Sequence, residues 1–281
     1  MSSRRRTTDR IFWAVCGLAF LLIAAPSVSI IVSVFHQAWP ALGWELFTKN
    51  TPQFGLQNAL LGTLLLLLGV LIVAGTIGVG AGIYLAEYAA GRSERVLRFF
   101  SEVLAGMPSI VIGYIGYITL VYEFHWGYSL MAGVLALSVL VMPYILKTTE
   151  VSLRQVPTVL REGAAGLGMP RSSALARILL PTALPGIVSG LIVALAISTG
   201  ELAPLLFTAN ASDLGPNFHL FHRSVPYLTE VIYNDLSQPG QQYHAASAAA
   251  GLMSLAILVI LIALGRVVSS RARRQTARMS L

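Results

Sequence analysis

The stretch Arg161–Pro181 reads REGAAGLGMPRSSALARILLP, charged and small-residue-rich in an otherwise apolar chain. Glu162 and Arg171 offer charged contacts at its two ends, while Gly163, Ala164, Ala165 and Gly166 leave a nearly featureless surface able to enter a groove. That is chemistry for docking. Bond-making chemistry is absent from the pattern. The only Lys followed by Ser or Thr is Lys147-Thr148, preceded by Leu146, which excludes the phosphate-cradling Gly-x4-Gly-Lys-Ser/Thr loop. There is no nucleophile elbow, zincin helix or CxxC pair, so no catalytic residue and no cofactor are expected. His219 and His222 are three apart, a spacing that suits a metal on a helix, but no Cys is near and the acids are scattered. No metal site is expected. One carboxylate, Glu201, lies well inside an apolar run, where a charge is costly and kept for function. Ser198 and Thr199 precede it.

The elements that must carry these residues follow from composition. The chain has 281 residues, 56% hydrophobic and 11% charged. A soluble domain carries about a quarter of its residues as charged side chains, so this is a membrane composition. A helix crossing the bilayer takes about 20 mostly apolar residues. Six stretches qualify: Ile11–Phe35, Leu56–Ala86, Phe99–Tyr122, Tyr128–Leu146, Ala183–Ala209 and Ala245–Leu264. They continue without polar alternation, which excludes a β-barrel. The expected fold is a single all-α transmembrane domain over residues 1–281, with a cytoplasmic loop at 150–182. Ile11–Phe35 continues past Pro26 and exceeds a signal peptide's apolar region of about 7–15 residues, so it is read as a retained span. The lone Cys16 within it has packing as its expected role.

Basic residues set the orientation. Arg4, Arg5, Arg6 and Arg10 precede span one; Arg92, Arg95 and Arg98 follow span two. Lys147, Arg154, Arg161, Arg171 and Arg177 follow span four; Arg266, Arg271, Arg273, Arg274 and Arg278 close the chain. In a six-span chain these 17 of 19 Lys and Arg fall on one side, leaving Lys49 and Arg223 opposite. Both termini and Arg161–Pro181 are therefore expected in the cytoplasm. Lipid-facing flanks account for the net charge of +7, and no nucleic-acid role is expected. On the outer side, Trp39, Trp44, Phe47 and Phe54 suit a segment lying at the interface.

Within this frame Val156, Leu160, Ala164 and Leu167 define one face of a short helix. Pro157 suits its start, Gly168 its stop, and Pro170 a restart through Ala174–Leu180 into Pro181. A cytoplasmic helix–turn–helix results. With one ionisable group well inside the spans, a gradient-driven relay or secondary transporter is disfavoured, and energy must arrive through a partner.

The spacing of Glu162, Ala164, Gly168, Ile178, Leu180 and Pro181 resembles the EAA signature of bacterial ABC importer permeases, with Gly163 replacing an Ala. GIYLAEYA, LAGMPSIVIG, TTEVSLRQVPTVLREGAAGLG, ILLPTALPGIVSG and GELAPLLFTA, between Gly82 and Ala209, resemble more closely the PstA-type phosphate permease family. The resemblance implies a type I ABC importer permease of six transmembrane helices, with a coupling helix between helices four and five that docks on the ATPase through Glu162, Gly163, Ala164, Ala165, Gly168 and Arg171. It implies import of inorganic phosphate at the bacterial inner membrane, with a PstC-type second permease subunit, a PstB-type ATPase dimer and a phosphate-binding protein as partners. Import of another oxyanion, molybdate or sulfate, is the alternative. Relatives carry Arg and Thr where this chain has Ile197 and Leu202, so the positive charge must come from the partner subunit or neutral donors must hold the anion. Candidate anion contacts are Ser109, after the helix-breaking Pro108, with Ser198, Thr199 and Glu201. Glu201 is expected either to accept a hydrogen bond from protonated phosphate or to pair with an arginine of the second permease subunit.

Overall fold

The computed structural model describes residues 3–213, 215 and 219–279. Among these residues the regular structure is entirely helical: α1 (Ser3–Ala38), α2 (Glu45–Thr48), α3 (Gln57–Glu87), α4 (Arg92–Gly106), α5 (Ser109–Gly116), α6 (Leu130–Arg154), α7 (Thr158–Gly166), α8 (Arg171–Ala174), α9 (Leu180–Gly200), α10 (Ala203–Thr208), α11 (Leu228–Leu236) and α12 (Gln241–Met279). Five helical stretches are long and apolar enough to cross a membrane: Ile11–Ala41, Gln57–Glu87, Leu130–Arg154, Arg171–Gly200 and Gln241–Val268. A sixth crossing requires the bent pair Arg92–Gly106 and Ser109–Glu123.

The core forms where α3, α6 and α9 pack together. Leu66, Val70 and Ala74 of α3 meet Val134, Leu137, Val141 and Ile145 of α6 and Ala194 of α9, all buried. Glycines make the approach close. A Cβ on Gly82 would lie 2.6 Å from that of Thr149, and one on Gly78 2.9 Å from that of Ile145. On the other flank of α6, Gly186 lies against Ser152 and Gly190 against Thr148. Pairs of small residues four apart let backbones approach in a setting where apolar side chains gain nothing from leaving lipid. By contrast, none of the apolar window of α1 is buried; this helix packs beside α12 and offers its remaining surface to lipid or to another chain.

Two apolar stretches that read as single spans are broken. Phe99–Tyr122 is divided between α4 and a segment bent 102° from it. The bend falls at Met107-Pro108, where proline supplies no backbone N–H and forces the preceding residue into an extended conformation (Met107 ψ 133°). Ala183–Ala209 is likewise divided: α9 stops at Gly200, Glu201 is extended (φ −77°, ψ 130°), and α10 begins at Ala203. Pro204 explains the interruption. Inside a helix its ring would clash with the carbonyl of Gly200 and remove that carbonyl's partner. The two pieces beyond the breaks, α5 and α10, pack on each other. A Cβ on Gly113 would lie 2.7 Å from Pro204 Cα, and one on Gly116 3.0 Å from Thr208 Cγ2.

Candidate functional site

The Arg161–Pro181 region forms the expected helix, sharp stop and restart. Pro157 (ψ 137°) precedes α7, and its carbonyl accepts the Leu160 N–H. At the other end Gly168 adopts φ +67°. Its N–H donates to the Ala165 carbonyl at 2.9 Å, and the Met169 N–H to the Ala164 carbonyl at 3.1 Å. These are the paired bonds of a Schellman stop, in which the left-handed residue is glycine because a Cβ would be strained there. Pro170 then starts α8, which continues through a π-helical turn at Leu175–Leu179 into α9. The second helix is therefore the N-terminal part of the Arg171–Gly200 span and not a separate element.

The face of α7 differs from the expected one. Val156 and Ala164 are buried, but Leu160 is exposed and Leu167 is 81% exposed. Leu167 caps the helix with ψ near 5° and turns away from the apolar face. Val159, Glu162, Gly163, Ala165 and Gly166 are also exposed. A Cβ added at Gly163, Gly166 or Gly168 would meet nothing within 4 Å. Packing within this chain thus does not require small residues at Gly163 and Gly166. What remains is an open surface of glycine, alanine and one carboxylate, edged by Val159 and Leu167.

Behind this surface lies a set of ion pairs that the residue pattern does not announce. Arg98 of α4 donates to both oxygens of Glu150 on α6, at 2.6 and 3.3 Å. Arg154 Nε joins the same carboxylate at 2.9 Å, and Lys147 Nζ lies 3.7 Å away. Glu94 completes the group against Arg98 and Arg154. Arg161 of α7 reaches Glu87 at the end of α3. The pairs three or four residues apart on one helix are visible as spacing, whereas Arg98–Glu150 and Arg161–Glu87 depend on the packing of different helices. Arg171 is exposed and borders a cavity of about 290 Å³ with Glu87, Tyr88, Arg161 and Ala165.

The anion-path candidates are only partly brought together. Ser198 and Thr199 are buried and share a small cavity with Thr63, Tyr227 and Thr229. Their hydroxyls donate to the Ala194 and Leu195 carbonyls at 2.9 and 2.8 Å, which is ordinary back-bonding along the helix. In this arrangement those protons are not offered to an anion. Tyr227 Oη, buried in the same cavity, has no hydrogen-bond partner among the described residues. Glu201 stands in the break between α9 and α10, half-buried, with its backbone carbonyl accepting from Thr229 Oγ1 at 3.0 Å. Its carboxylate makes no ion pair among the described residues. Ser109 opens α5 and does not line that cavity. Ile197 and Leu202 pack against the main apolar core. His219 and His222 are exposed in an irregular segment rather than on a helix.

Comparison with known proteins places these features in context. Residues 78–274 match the family described as binding-protein-dependent transport system inner membrane component. The chain is 43% identical over 274 residues to a Mycobacterium bovis protein named phosphate transport system permease protein PstA 2, covering 97% of this chain and 91% of that one. It is 34% identical to a Xylella fastidiosa phosphate transport system permease protein PstA, covering 93% and 92%. Its fold resembles a chain in the crystal structure of a bacterial ABC transporter involved in import of the acidic polysaccharide alginate, with TM-score 0.64, 15% identity and coverage of 95% and 98%.

Proposed function

The chain belongs to the family of binding-protein-dependent transport system inner membrane components, and we propose that it is the permease subunit of an ATP-driven importer of inorganic phosphate. The single observation that carries the permease reading is α7. Its stop is set by a left-handed glycine, and its outer surface is small, open and unused by the chain itself. Such a surface suits insertion into a cleft of a cytoplasmic ATPase, with Glu162 and Arg171 as charged contacts and Gly163, Ala165 and Gly168 shaping the fit; Ala164, expected among these contacts, is buried and faces the chain's own packing instead. The choice of phosphate is supported by the names of the relatives at 43% and 34% identity.

In this reading the chain is a multi-pass protein of the bacterial inner membrane with six crossings, the third being the bent pair α4–α5, and both termini in the cytoplasm. The placement of 17 of 19 Lys and Arg supports the orientation. A PstC-type permease subunit completes the path, a PstB-type ATPase dimer supplies the energy, and a phosphate-binding protein delivers the anion outside. The breaks at Pro108 and Pro204 put irregular backbone next to a path, which a membrane tolerates where backbone is buried in protein or lines a cavity. Ser109 and Glu201 lie at those breaks. Ser198 and Thr199 serve the path by shaping the break, since their hydroxyl protons are engaged.

The experiment is uptake by the complex of this chain with its partner permease, ATPase and binding protein in proteoliposomes. ATP-dependent phosphate accumulation is expected. Accumulation of molybdate or sulfate but not phosphate would overturn the substrate and leave the permease. An absence of any ATP-dependent oxyanion uptake would overturn both.

A further inference from the structure

Among the described residues, Arg161 makes the side-chain hydrogen bonds that tie α7 to the rest of the chain. Its Nη1 donates to Glu87 Oε2 at 2.8 Å, and its Nη2 to the Leu153 carbonyl at 2.8 Å. Glu87 is the last residue of α3, and Leu153 lies one residue from the end of α6. One guanidinium thus holds α7 to the inner ends of two core helices, both contacts at the length of strong charge-assisted bonds.

The arrangement leaves one acceptor unspent. Glu87 Oε1 is buried and has no hydrogen-bond partner among the described residues. A carboxylate and a guanidinium commonly pair through two parallel bonds, yet here the fork is divided between α3 and α6. Transfer of Nη2 from the Leu153 carbonyl to Glu87 Oε1 would complete that two-bond pairing. The Leu153 carbonyl would not be orphaned, because it also accepts the Val156 N–H at 3.2 Å. A cavity of about 290 Å³ is bordered by Glu87, Arg161 and Ala164. The divided fork seen here and a two-bond pairing with Glu87 are alternatives for the same three groups, and a transmitting element needs two such arrangements.

We propose that Arg161 is the positioning residue that passes movement of α7 to α3 and α6, exchanging the Leu153 carbonyl for the second oxygen of Glu87 as the ATPase draws on α7. This rests on reading α7 as the coupling helix. Arg161 acts through its partners and touches no cargo.

The test uses the complete complex in proteoliposomes and reads oxyanion imported per ATP hydrolysed, taking whichever oxyanion the wild type imports. Arg161→Gln and Glu87→Gln should assemble and hydrolyse ATP while import per ATP falls roughly tenfold, a typical coupling strength. Arg161→Lys keeps the charge but lacks the fork that reaches two acceptors, and should fall between Arg161→Gln and wild type. That variant decides the matter should Arg161→Gln not assemble. Import and hydrolysis falling together, with their ratio unchanged, would reduce Arg161 to a structural tie and overturn the proposal. Wild-type import per ATP in Arg161→Lys and Glu87→Gln would overturn it equally. A wild-type complex importing no oxyanion would instead remove the coupling-helix reading on which it stands.

Discussion

Arg98 on α4 grips Glu150 on α6 with both arms of its guanidinium, at 2.6 and 3.3 Å. Glu150 is only 2% exposed. Its carboxylate accepts charge-assisted bonds from Arg98 and Arg154, and a hydrogen bond to a charged group contributes about 1.5–3 kcal/mol. Replacing Glu150 with Ala removes these bonds and leaves Glu94 as the carboxylate beside Arg98 and Arg154. Thermal unfolding in detergent is expected to show a loss of about 2–3 kcal/mol. Arg154→Ala should lose about 1 kcal/mol or less, since that side chain is half exposed and Arg98 remains bound to Glu150. Equal losses from the two variants would mean that Glu150 is not the centre of the group.

Glycines divide into two kinds, and substitution should separate them. Gly82→Val puts a side chain into Thr149 and the Leu146 carbonyl, and overpacking of this sort costs about 1–3 kcal/mol. Gly163 and Gly166 face open space. A Gly163→Trp chain is expected to melt as wild type when purified alone, yet to lose ATPase binding and transport. Charge reversal at Glu162, which is also exposed, should behave likewise. Co-purification of the ATPase with Gly163→Trp at the wild-type ratio would remove the docking role of this face.

Much of the architecture is legible in the sequence because membrane crossing imposes a length. The apolar runs containing α1, α3, α6, α9 and α12 stand out for that reason. The Gly168-Met169-Pro170 stop is legible too, since a left-handed residue and a proline leave few alternatives. Pro108 is legible as a helix breaker, but the second break is harder to read: Pro204 sits in a run apolar enough to span, and hydropathy does not register a lost N–H. Glu201 consequently reads as a residue within a helix, whereas it occupies the extended link before α10. The Arg98–Glu150 and Arg161–Glu87 pairs are invisible for another reason: partners 52 and 74 positions apart meet only once α4, α6, α3 and α7 are packed.

The pH response should come from Glu230 on α11, outside the spans. Burial pushes its carboxyl up to about 7, with Asp213 and Asp235 adding to the rise and the Asn234 amide opposing it through a hydrogen bond. The folded form therefore binds the proton more tightly than the unfolded chain, whose carboxyl titrates near 4.5. Its stabilising contribution is complete below about pH 4.5 and is lost as pH rises to about 7, amounting to about 3 kcal/mol. Hydrogen exchange of α11 amides, corrected for the intrinsic pH dependence of exchange, should show protection falling over that range. Glu230→Gln, permanently neutral, should flatten the profile. A profile in Glu230→Gln as steep as in wild type would assign the response to another group.

Glu201 gives the sharpest test of the path. It sits where α9 ends, and its backbone carbonyl is held by Thr229 of α11, so its position is fixed through the main chain. Its carboxylate, by contrast, has no ionic partner among the described residues. A carboxylate is retained at membrane depth when something outside the chain's own packing uses it. Glu201→Gln keeps shape and hydrogen-bonding capacity and deletes the charge. The isolated chain should therefore melt within about 0.5 kcal/mol of wild type, as expected for a side chain without internal partners. Phosphate uptake by the complex should fall at least roughly tenfold, the lower end for losing a charged contact at 1.5–3 kcal/mol. Two sources of the loss are separable. If the carboxylate pairs with an arginine of the second permease subunit, Glu201→Gln also weakens recovery of that subunit in co-purification. If it accepts a hydrogen bond from a protonated phosphate oxygen, the complex is recovered whole and uptake is lost preferentially at low pH, where the singly charged anion dominates. Normal uptake in Glu201→Gln would assign this carboxylate to neither role.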